Sequence, residues 1–255
     1  MSTPIAPDAR NDARNDAPLD GKVVVVPGGT GNVGEGIVRA FLRTGATVVV
    51  PGRNRERLDE LAELVGSRPG DRLVRLHAGY GTFDEATELA ERIAADHGRI
   101  DHVVPSIGGW WMGKTLWQTD ENDWQKHFLE TTTSHFAVAR AFVPRLDPAG
   151  SYTLIAGFAA REPYQRAGII SMHGAAVLMM REALSADLRG RRRVNNLLLG
   201  PILNRSRPNG DPSWLTADQV GEAAVAVTLA PSVQDESIRL GTVEELDREL
   251  ARIRA

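Results

Sequence analysis

The chain contains no cysteine and only three lysines among its 255 residues. The lack of cysteine excludes disulfide bonds, thiolate nucleophiles and cysteine-ligated metals, and it is compatible with a reducing cytoplasm, where we expect the protein to act. The sequence also has no apolar run of membrane-spanning length and no signal-peptide core, so we expect no membrane association. A net charge of −3 provides no basic surface, which argues against nucleic-acid partners.

The composition that remains is that of a globular protein. Hydrophobic residues make up 42% of the chain and charged residues 25%, and 255 residues are enough for one large α/β domain. Residues 1–19 are polar and contain the tetrapeptide Ala-Arg-Asn-Asp twice, which predicts a disordered tail. We therefore expect a single folded domain over residues 20–255.

The most informative stretch is a strand, a glycine-rich turn and a helix in that order. Four consecutive valines, Val23–Val26, predict a short buried strand. Behind the turn, apolar residues recur at helical spacing. The glycines of the turn are Gly28, Gly29, Gly31, Gly34 and Gly36. A helix N-terminus behind a turn without side chains can hold a pyrophosphate, so the stretch predicts a dinucleotide-binding motif.

Strand patterns alternate with helix patterns along the rest of the chain. Further strands are predicted at 47–50, 73–77, 100–104, 151–156, 193–199 and near Ile238. Helices are predicted after the second strand as far as Gly66, and at 84–97, 123–145, 169–189, 216–229 and 243–253. With short connections throughout, this order predicts a single-domain Rossmann-like α/β fold, a doubly wound parallel sheet in a three-layer αβα arrangement.

The order of elements resembles the short-chain dehydrogenase/reductase family over nearly the whole chain. The landmarks are Asp20-Gly21-Lys22 before the first strand, the strand Ile100–Val104, the dipeptide Asp123-Trp124, and Arg193-Val194-Asn195 followed by Gly200. The glycine turn departs from the usual pattern because Asn32 replaces the second glycine, and in this it is similar to the NmrA-like branch. Asparagine tolerates left-handed backbone, so the turn can still form.

The resemblance implies a nicotinamide dinucleotide at the carboxyl ends of the strands. Carried over position by position, it assigns cofactor contacts to Gly28, Thr30, Asn32, Val33, Gly34, Arg53, Ser106, Gly108, Gly200 and Ile202. Members that prefer NAD place an acidic residue after the second strand, whereas this chain has Gly52 and Arg53. An arginine can grip a phosphate, which favours NADP(H) over NAD(H). Loss of the cofactor is the remaining alternative.

The family's catalytic Asn, Ser, Tyr and Lys do not appear at the matching positions. We align these four with Thr131, Gly157, Ser171 and Ala175. The chain has no lysine after Lys126, so no shift of alignment restores the Tyr-Lys pair. Three functions stay open: an atypical oxidoreductase acting on a small organic substrate, an enzyme of the same fold that catalyses a non-redox step, and a non-catalytic NADP(H)-binding sensor or scaffold.

Candidates for a replaced active site are few. Four residues lie at or near the positions aligned with the family's catalytic residues: Thr131, His135, Ser171 and His173. The loop Ser106–Trp117 carries three tryptophans that would stack on a flat substrate, pack as a lid or form a subunit contact. The histidines lack metal-ligand spacing, so we predict no metal site. The resemblance also implies a homodimer or homotetramer formed through the helices predicted at 123–145 and 169–189.

Overall fold

The computed structural model describes residues 17–68 and 71–255. Of the tail predicted for residues 1–19, residues 1–16 lie outside the described residues. Leu19 is buried, and its backbone N–H donates to the carbonyl of Thr44 at 3.0 Å. The folded part therefore includes residues 17–19 and starts before the predicted boundary at Asp20.

Seven parallel strands form one sheet, which confirms the predicted fold class. The sheet strands are β1 Val23–Val25, β2 Thr47–Gly52, β3 Leu73–His77, β4 His102–Val103, β5 Ser151–Gly157, β6 Arg193–Leu199 and β9 Ser237–Leu240. Their order in the sheet is β3-β2-β1-β4-β5-β6-β9, so the first strand lies near the centre and the chain winds outward in both directions. This central position explains why β1 is a run of valines, since both of its faces are buried. A separate parallel pair consists of β7 Ile202–Leu203 and β8 Leu215–Thr216.

Helices cover both faces of the sheet. They are α1 Gly34–Arg43, α2 Arg55–Leu64, α3 Phe83–His97, α4 Glu121–Trp124, α5 Glu130–Phe142, α6 Gly168–Leu188, α7 Ala217–Leu229 and α8 Val243–Arg254. One core cluster joins the sheet to α1, α2, α7 and α8, and a second joins it to α3, α5 and α6. A smaller third cluster consists of Phe158, Ala160, Leu178 and Leu198. Along β1, Val24 faces the first cluster while Val23 and Val25 face the second, as strand geometry requires.

The helix predicted over 123–145 is present but interrupted. A π-helical turn, Gln125–Leu129, joins α4 to α5, and a 3₁₀ turn ends the segment at Arg145. The Thr131 hydroxyl donates to the carbonyl of Lys126 at 3.2 Å, five residues back, across the wide turn. Such turns are common at functional sites, and this one lies on the helix that faces the cleft described below.

Contact between α1 and α7 depends on a glycine in each helix. A Cβ at Gly36 would overlap the backbone of Ala217 and lie 2.8 Å from the nitrogen of Asp218, while a Cβ at Gly221 would lie 2.7 Å from the Cβ of Ala40. The helices therefore approach backbone to backbone. This contact fixes α1, whose N-terminus carries the glycine turn, against the sheet.

Replacing Gly36 by alanine should lower the free energy of unfolding by about 1–3 kcal/mol, because the new methyl group has to displace backbone and not a flexible side chain. Urea denaturation measures this change. Gly109→Ala is the matched control: its Cβ meets no atom of the described residues within 4 Å, and we expect a change within about 0.5 kcal/mol. Equal stability of the two variants would contradict the close helix approach.

Candidate functional site

A cavity of about 580 Å³ opens at the carboxyl ends of β1, β4, β5 and β6. Its outer end is formed by the glycine turn and by residues 199–207, and its inner end lies between the loop after β4 and helices α5 and α6. This is the place where doubly wound sheets bind their ligands, and the volume suits a small-molecule site.

The glycine turn is shaped by backbone contact. Gly28 has a φ of +81°, and a Cβ there would overlap the carbonyl of Ser106. A Cβ at Gly34 would overlap the carbonyl of Gly28 and lie 2.7 Å from the Cα of Gly29. Only glycines allow this packing. It brings the N-terminus of α1, with backbone N–H groups that have no partner within the helix, to the edge of the cavity.

The structure brings most of the predicted cofactor residues to one cleft. Six of the ten line the cavity directly: Asn32, Val33, Ser106, Gly108, Gly200 and Ile202. Gly28, Thr30 and Gly34 belong to the backbone of the turn behind it. Arg53 is exposed at the end of β2, outside the lining residues.

Two arginines lie together beside the turn. Arg57 donates from Nη2 to the carbonyl of Thr30 at 3.0 Å, and the carbonyl of Arg53 bonds Nε2 of His77 at 3.0 Å. Burial raises the pKa of Tyr80, and the positive charges of Arg53 and Arg57 oppose this increase. Both arginines therefore lie near the phenol of Tyr80. The turn is therefore flanked by positive charge at the end of β2.

The segment after β7 closes over the turn. Asn32 donates from Nδ2 to the hydroxyl of Ser206 at 2.8 Å. The Asn204 side chain accepts from the backbone N–H groups of Ser206 and Arg207, both at 3.0 Å. Arg205 pairs with Glu35 on α1 at 2.7 Å. The sequence alone did not indicate these contacts, because bonds between residues 170 or more positions apart leave no local pattern.

The four positions aligned with the family's catalytic residues are only partly in the cleft. Gly157 lines the cavity, whereas Thr131 turns its hydroxyl to the backbone of its own helix. Ser171 donates to the carbonyl of Ala167 at 3.4 Å, and neither it nor exposed Ala175 is among the lining residues.

Helix α6 presents Ile170, His173, Gly174 and Val177 to the cavity, and of these Ile170 and Gly174 have the four-residue spacing of the family's Tyr-Lys pair. The residues aligned with the Tyr-Lys pair, Ser171 and Ala175, are therefore each one position C-terminal to a residue that lines the cavity. At these two positions an aliphatic side chain and a glycine provide neither an acid nor a cation, and His173 is the polar side chain that α6 places in the cavity.

Two histidines occupy the inner end of the cavity. His135 bonds the carbonyl of Ile107 through Nε2 at 3.1 Å, and its ring centroid lies 5.4 Å from that of His173. His173 bonds the hydroxyl of Thr132 through Nδ1 at 3.1 Å. Burial lowers the pKa of His135 to about 3, with a smaller contribution from His173, and burial lowers the pKa of His173 to about 4. Both rings are therefore neutral near pH 7.

The tryptophan loop has one member in the cleft. Trp110 lines the cavity and meets Tyr164 edge to face, with centroids 5.4 Å apart. Trp111 stacks instead on His127, and Trp117 is 86% exposed. Lys114 ties the loop to the start of α4 through Asp120, at 2.6 Å, and Asp123.

Other site types find little support in residues 17–68 and 71–255. Within these ranges no group of three or more His, Asp or Glu side chains is arranged to hold a metal ion. The same ranges contain no helix that combines the length and apolar character needed to cross a bilayer.

Comparison with known proteins places this cleft in context. The sequence model of a family described as enoyl-(acyl carrier protein) reductase matches residues 29–226. An uncharacterized oxidoreductase of Escherichia coli is 25% identical over 201 residues, which cover 76% of this chain and 79% of that protein. A hydroxynaphthalene reductase of Aspergillus fumigatus is 26% identical over 232 residues, which cover 91% of this chain and 81% of that protein.

A solved structure gives the same fold. The short-chain dehydrogenase/reductase of Serratia marcescens superposes with a TM-score of 0.79 at 19% identity, covering 88% of this chain and 98% of that chain. At this level of identity the similarity establishes the architecture and leaves the chemistry to the residues of the cleft.

The buried histidines predict a pH dependence of stability. Burial also lowers the pKa of His102, which bonds Ser151, to about 4. The unfolded chain takes up these protons below its ordinary histidine pKa of about 6.5, while the folded chain does not. The free energy of unfolding should therefore fall as the pH drops from about 6.5 towards 4, by up to about 1.4 kcal/mol per pH unit for each histidine.

Urea denaturation at several pH values between 7 and 5 measures this slope. His102→Gln should reduce the slope by up to about 1.4 kcal/mol per pH unit, since one proton fewer distinguishes the unfolded from the folded state. An unaltered slope in the variant would show that His102 takes up its proton equally in both states.

Proposed function

Because the chain belongs to the short-chain dehydrogenase/reductase family, we propose that it is an NADP(H)-binding, atypical oxidoreductase of that family, working without the usual Ser-Tyr-Lys residues. The observation that carries the proposal is the glycine turn, where the backbones of Gly28, Gly34 and Ser106 meet too closely for any side chain. The turn leads directly into a cleft of about 580 Å³. Small-molecule substrates or ligands are the partners that such a cleft accepts.

The residues present fit a dinucleotide. The N-terminus of α1 provides N–H groups and a partial positive charge for a pyrophosphate. Asn32 and Val33 would hold the pyrophosphate end, while Ser106 and Gly108 would border the nicotinamide. When bound, the nicotinamide supplies or accepts a hydride. The chain's own residues orient the two reactants and exclude water from the inner end.

A preference for NADP(H) is supported by charge at the end of β2. Between Pro51 and Arg55 the chain has no acidic residue that would accept a ribose hydroxyl or repel a phosphate. Arg53 and Arg57 are within electrostatic range of Tyr80 beside the turn. Two cations at this place would bind the additional phosphate of NADP(H), as the arginine in NADP-specific Rossmann sites does.

The inner end supports a flat, apolar substrate. Trp110 and Tyr164 meet at right angles on one side, and Ile170 and Val177 line the other. An aromatic wall of this kind favours planar molecules. The relative from Aspergillus fumigatus is named for a hydroxynaphthalene, which is such a molecule.

One observation favours a second candidate function. On the face of α6 that lines the cavity, Ile170 and Gly174 have the spacing of the family's Tyr-Lys pair and cannot donate a proton. A protein of this design would bind NADP(H) as a sensor or scaffold, or catalyse a step without hydride transfer. Both alternatives retain the glycine turn and differ from the first proposal in that NADPH is not consumed.

Titration calorimetry with NADPH and NADH tests cofactor binding. We expect NADPH to bind more tightly, and Arg53→Ala to weaken NADPH by about tenfold, or ~1.4 kcal/mol, while leaving NADH nearly unchanged. Arg92→Ala, which removes an ion-paired arginine from the surface of α3, is the control and should leave both affinities as in the wild type. Equal losses for both cofactors in the Arg53 variant would refute the phosphate role. If neither cofactor bound at millimolar concentration, the proposal as a whole would fail.

Turnover separates the enzyme from the sensor. The wild-type protein, saturated with NADPH and mixed with a panel of aromatic ketones and aldehydes, should consume NADPH faster than buffer alone. The absorbance of NADPH follows the reaction. Binding of NADPH without consumption across the panel would favour the sensor or a non-redox step.

We further propose that the protein acts in the cytoplasm and that it is a homodimer or homotetramer. Exposed apolar side chains on α5 and α6 support the assembly, among them Phe136 and Met179. Met179→Glu should shift the protein towards the monomer, because a carboxylate at a buried contact is costly. Light scattering after gel filtration measures the mass. Met112→Glu is the control, because Met112 is similarly exposed but lies outside these helices, and it should leave the oligomer intact. A monomeric wild type would disprove the assembly.

A further inference from the structure

The inner end of the cleft has few polar groups and hardly any charge. Among the lining residues, all of which lie in the described ranges, there is no aspartate, glutamate or lysine, and Arg207 is the one arginine. Arg207 belongs to the segment that closes over the glycine turn at the outer end. The polar atoms of the inner end therefore come mainly from Ser106, Tyr164 and the two histidines.

One ring nitrogen of His173 has a hydrogen-bond partner, and the other has none among residues 17–68 and 71–255. Its Nδ1 lies 3.1 Å from the hydroxyl of Thr132 on the facing helix. Its Nε2 lies 3.7 Å from the position that a Cβ of Gly108 would take, so the glycine leaves open space beside that nitrogen. We assign the hydroxyl of Thr132 as the donor to Nδ1, which leaves the ring hydrogen on Nε2, directed into the cavity.

His135 supports this arrangement from behind. It is 1% exposed, and its Nε2 donates to the carbonyl of Ile107 at 3.1 Å. Its Nδ1 is buried and lies within hydrogen-bond distance of no polar atom in residues 17–68 and 71–255. The bond to Ile107 holds the backbone next to Gly108, and the ring packs against His173. An unpartnered acceptor beside the cavity is a second sign that the inner end is built to receive a polar ligand atom.

We infer that His173 binds the oxygen of an uncharged aromatic ketone or alcohol through Nε2, and that Thr132 and His135 are its positioning residues. The inference rests on the proposed function, because the subsite is the inner end of the same cleft. The absence of acidic and lysine side chains from the lining disfavours ions as ligands. A neutral imidazole can donate a hydrogen bond to a carbonyl, as neutral histidines do in other active sites. The aromatic ring of the ligand would lie against Trp110 and Tyr164.

The experiment compares three ligands of almost the same shape. Acetophenone presents a carbonyl oxygen, α-methylstyrene replaces that oxygen by a methylene group, and benzoate carries a charge. Each is titrated into the protein saturated with NADP⁺, which cannot reduce the ketone, and binding is followed by tryptophan fluorescence. We expect acetophenone to bind about tenfold more tightly than α-methylstyrene, because one net hydrogen bond contributes ~1.4 kcal/mol. Benzoate should bind more weakly than either.

His173→Phe keeps an aromatic ring but removes the donor. It should abolish the preference for acetophenone and leave the affinity for α-methylstyrene within about twofold. His173→Gln, which retains an N–H group, should restore part of the preference. If His173→Phe retained the full preference, or if the wild type showed none, the inference would be overturned.

The role of Thr132 is tested spectroscopically. Long-range ¹H–¹⁵N spectra of the wild type should show His173 as a neutral ring with its hydrogen on Nε2, and Thr132→Val should give a mixture of the two neutral forms. Thr133→Val, an exposed threonine on the same helix, is the control and should keep the wild-type spectrum. A hydrogen on Nδ1 in the wild type would overturn the assignment.

These results separate the inference from the proposed function. The affinities of all variants for NADP⁺ are measured in separate titrations before the ligand is added and should equal that of the wild type, which also shows that the variants fold. If NADP⁺ did not bind to the wild type, the proposed function would fail, and the ligand preference would then be measured without cofactor. Cofactor binding together with a lost ligand preference in the wild type would overturn only the role of His173.

Discussion

The close approach of three backbone segments at the glycine turn is the constraint on which the rest of the cleft depends. Gly28 lies against the carbonyl of Ser106, Gly34 against that of Gly28, and Gly36 against Ala217 at the start of α7. None of these contacts leaves room for a Cβ. They join the ends of β1 and β4 to the N-terminus of α1 and set the width of the cavity between them. Because backbone and not side chain makes the contact, a small shift at the turn would alter the cleft along its whole length.

The two ends of this cleft differ in physical character. At the outer end, a helix N-terminus, two arginines beside the turn and the pair Asn32–Ser206 create a polar site suited to phosphates. At the inner end, apolar and aromatic side chains surround two histidines that burial keeps neutral. A ligand that spans both ends has to be anionic at one and uncharged at the other. A nicotinamide dinucleotide with a small apolar substrate meets that requirement.

Periodicity in the sequence was enough to predict the parallel sheet and its helices, because strand and helix patterns alternate without long interruptions. The glycine turn was likewise visible, since its residues are contiguous. Two other features were not. The face of α6 that meets the cavity depends on helix rotation, and the predicted positions at Ser171 and Ala175 missed Ile170 and Gly174 by one residue. The bond from Asn32 to Ser206 joins distant segments and has no local signature.

The proposal of an oxidoreductase without the family's usual acid and base raises a specific question, which is what acts in their place on that side of the cleft. A buried neutral histidine destabilises the folded chain below its ordinary pKa, and an unpartnered nitrogen such as Nδ1 of His135 adds a further cost. Local rules of this kind are broken mainly where function requires it. The pair His135 and His173 lies within the cleft beside a glycine, and His173 bonds Thr132 just after the π-helical turn. These observations support the proposal that the two imidazole rings are the polar groups of the inner end, and that a ligand there is bound by a hydrogen bond from the neutral ring of His173.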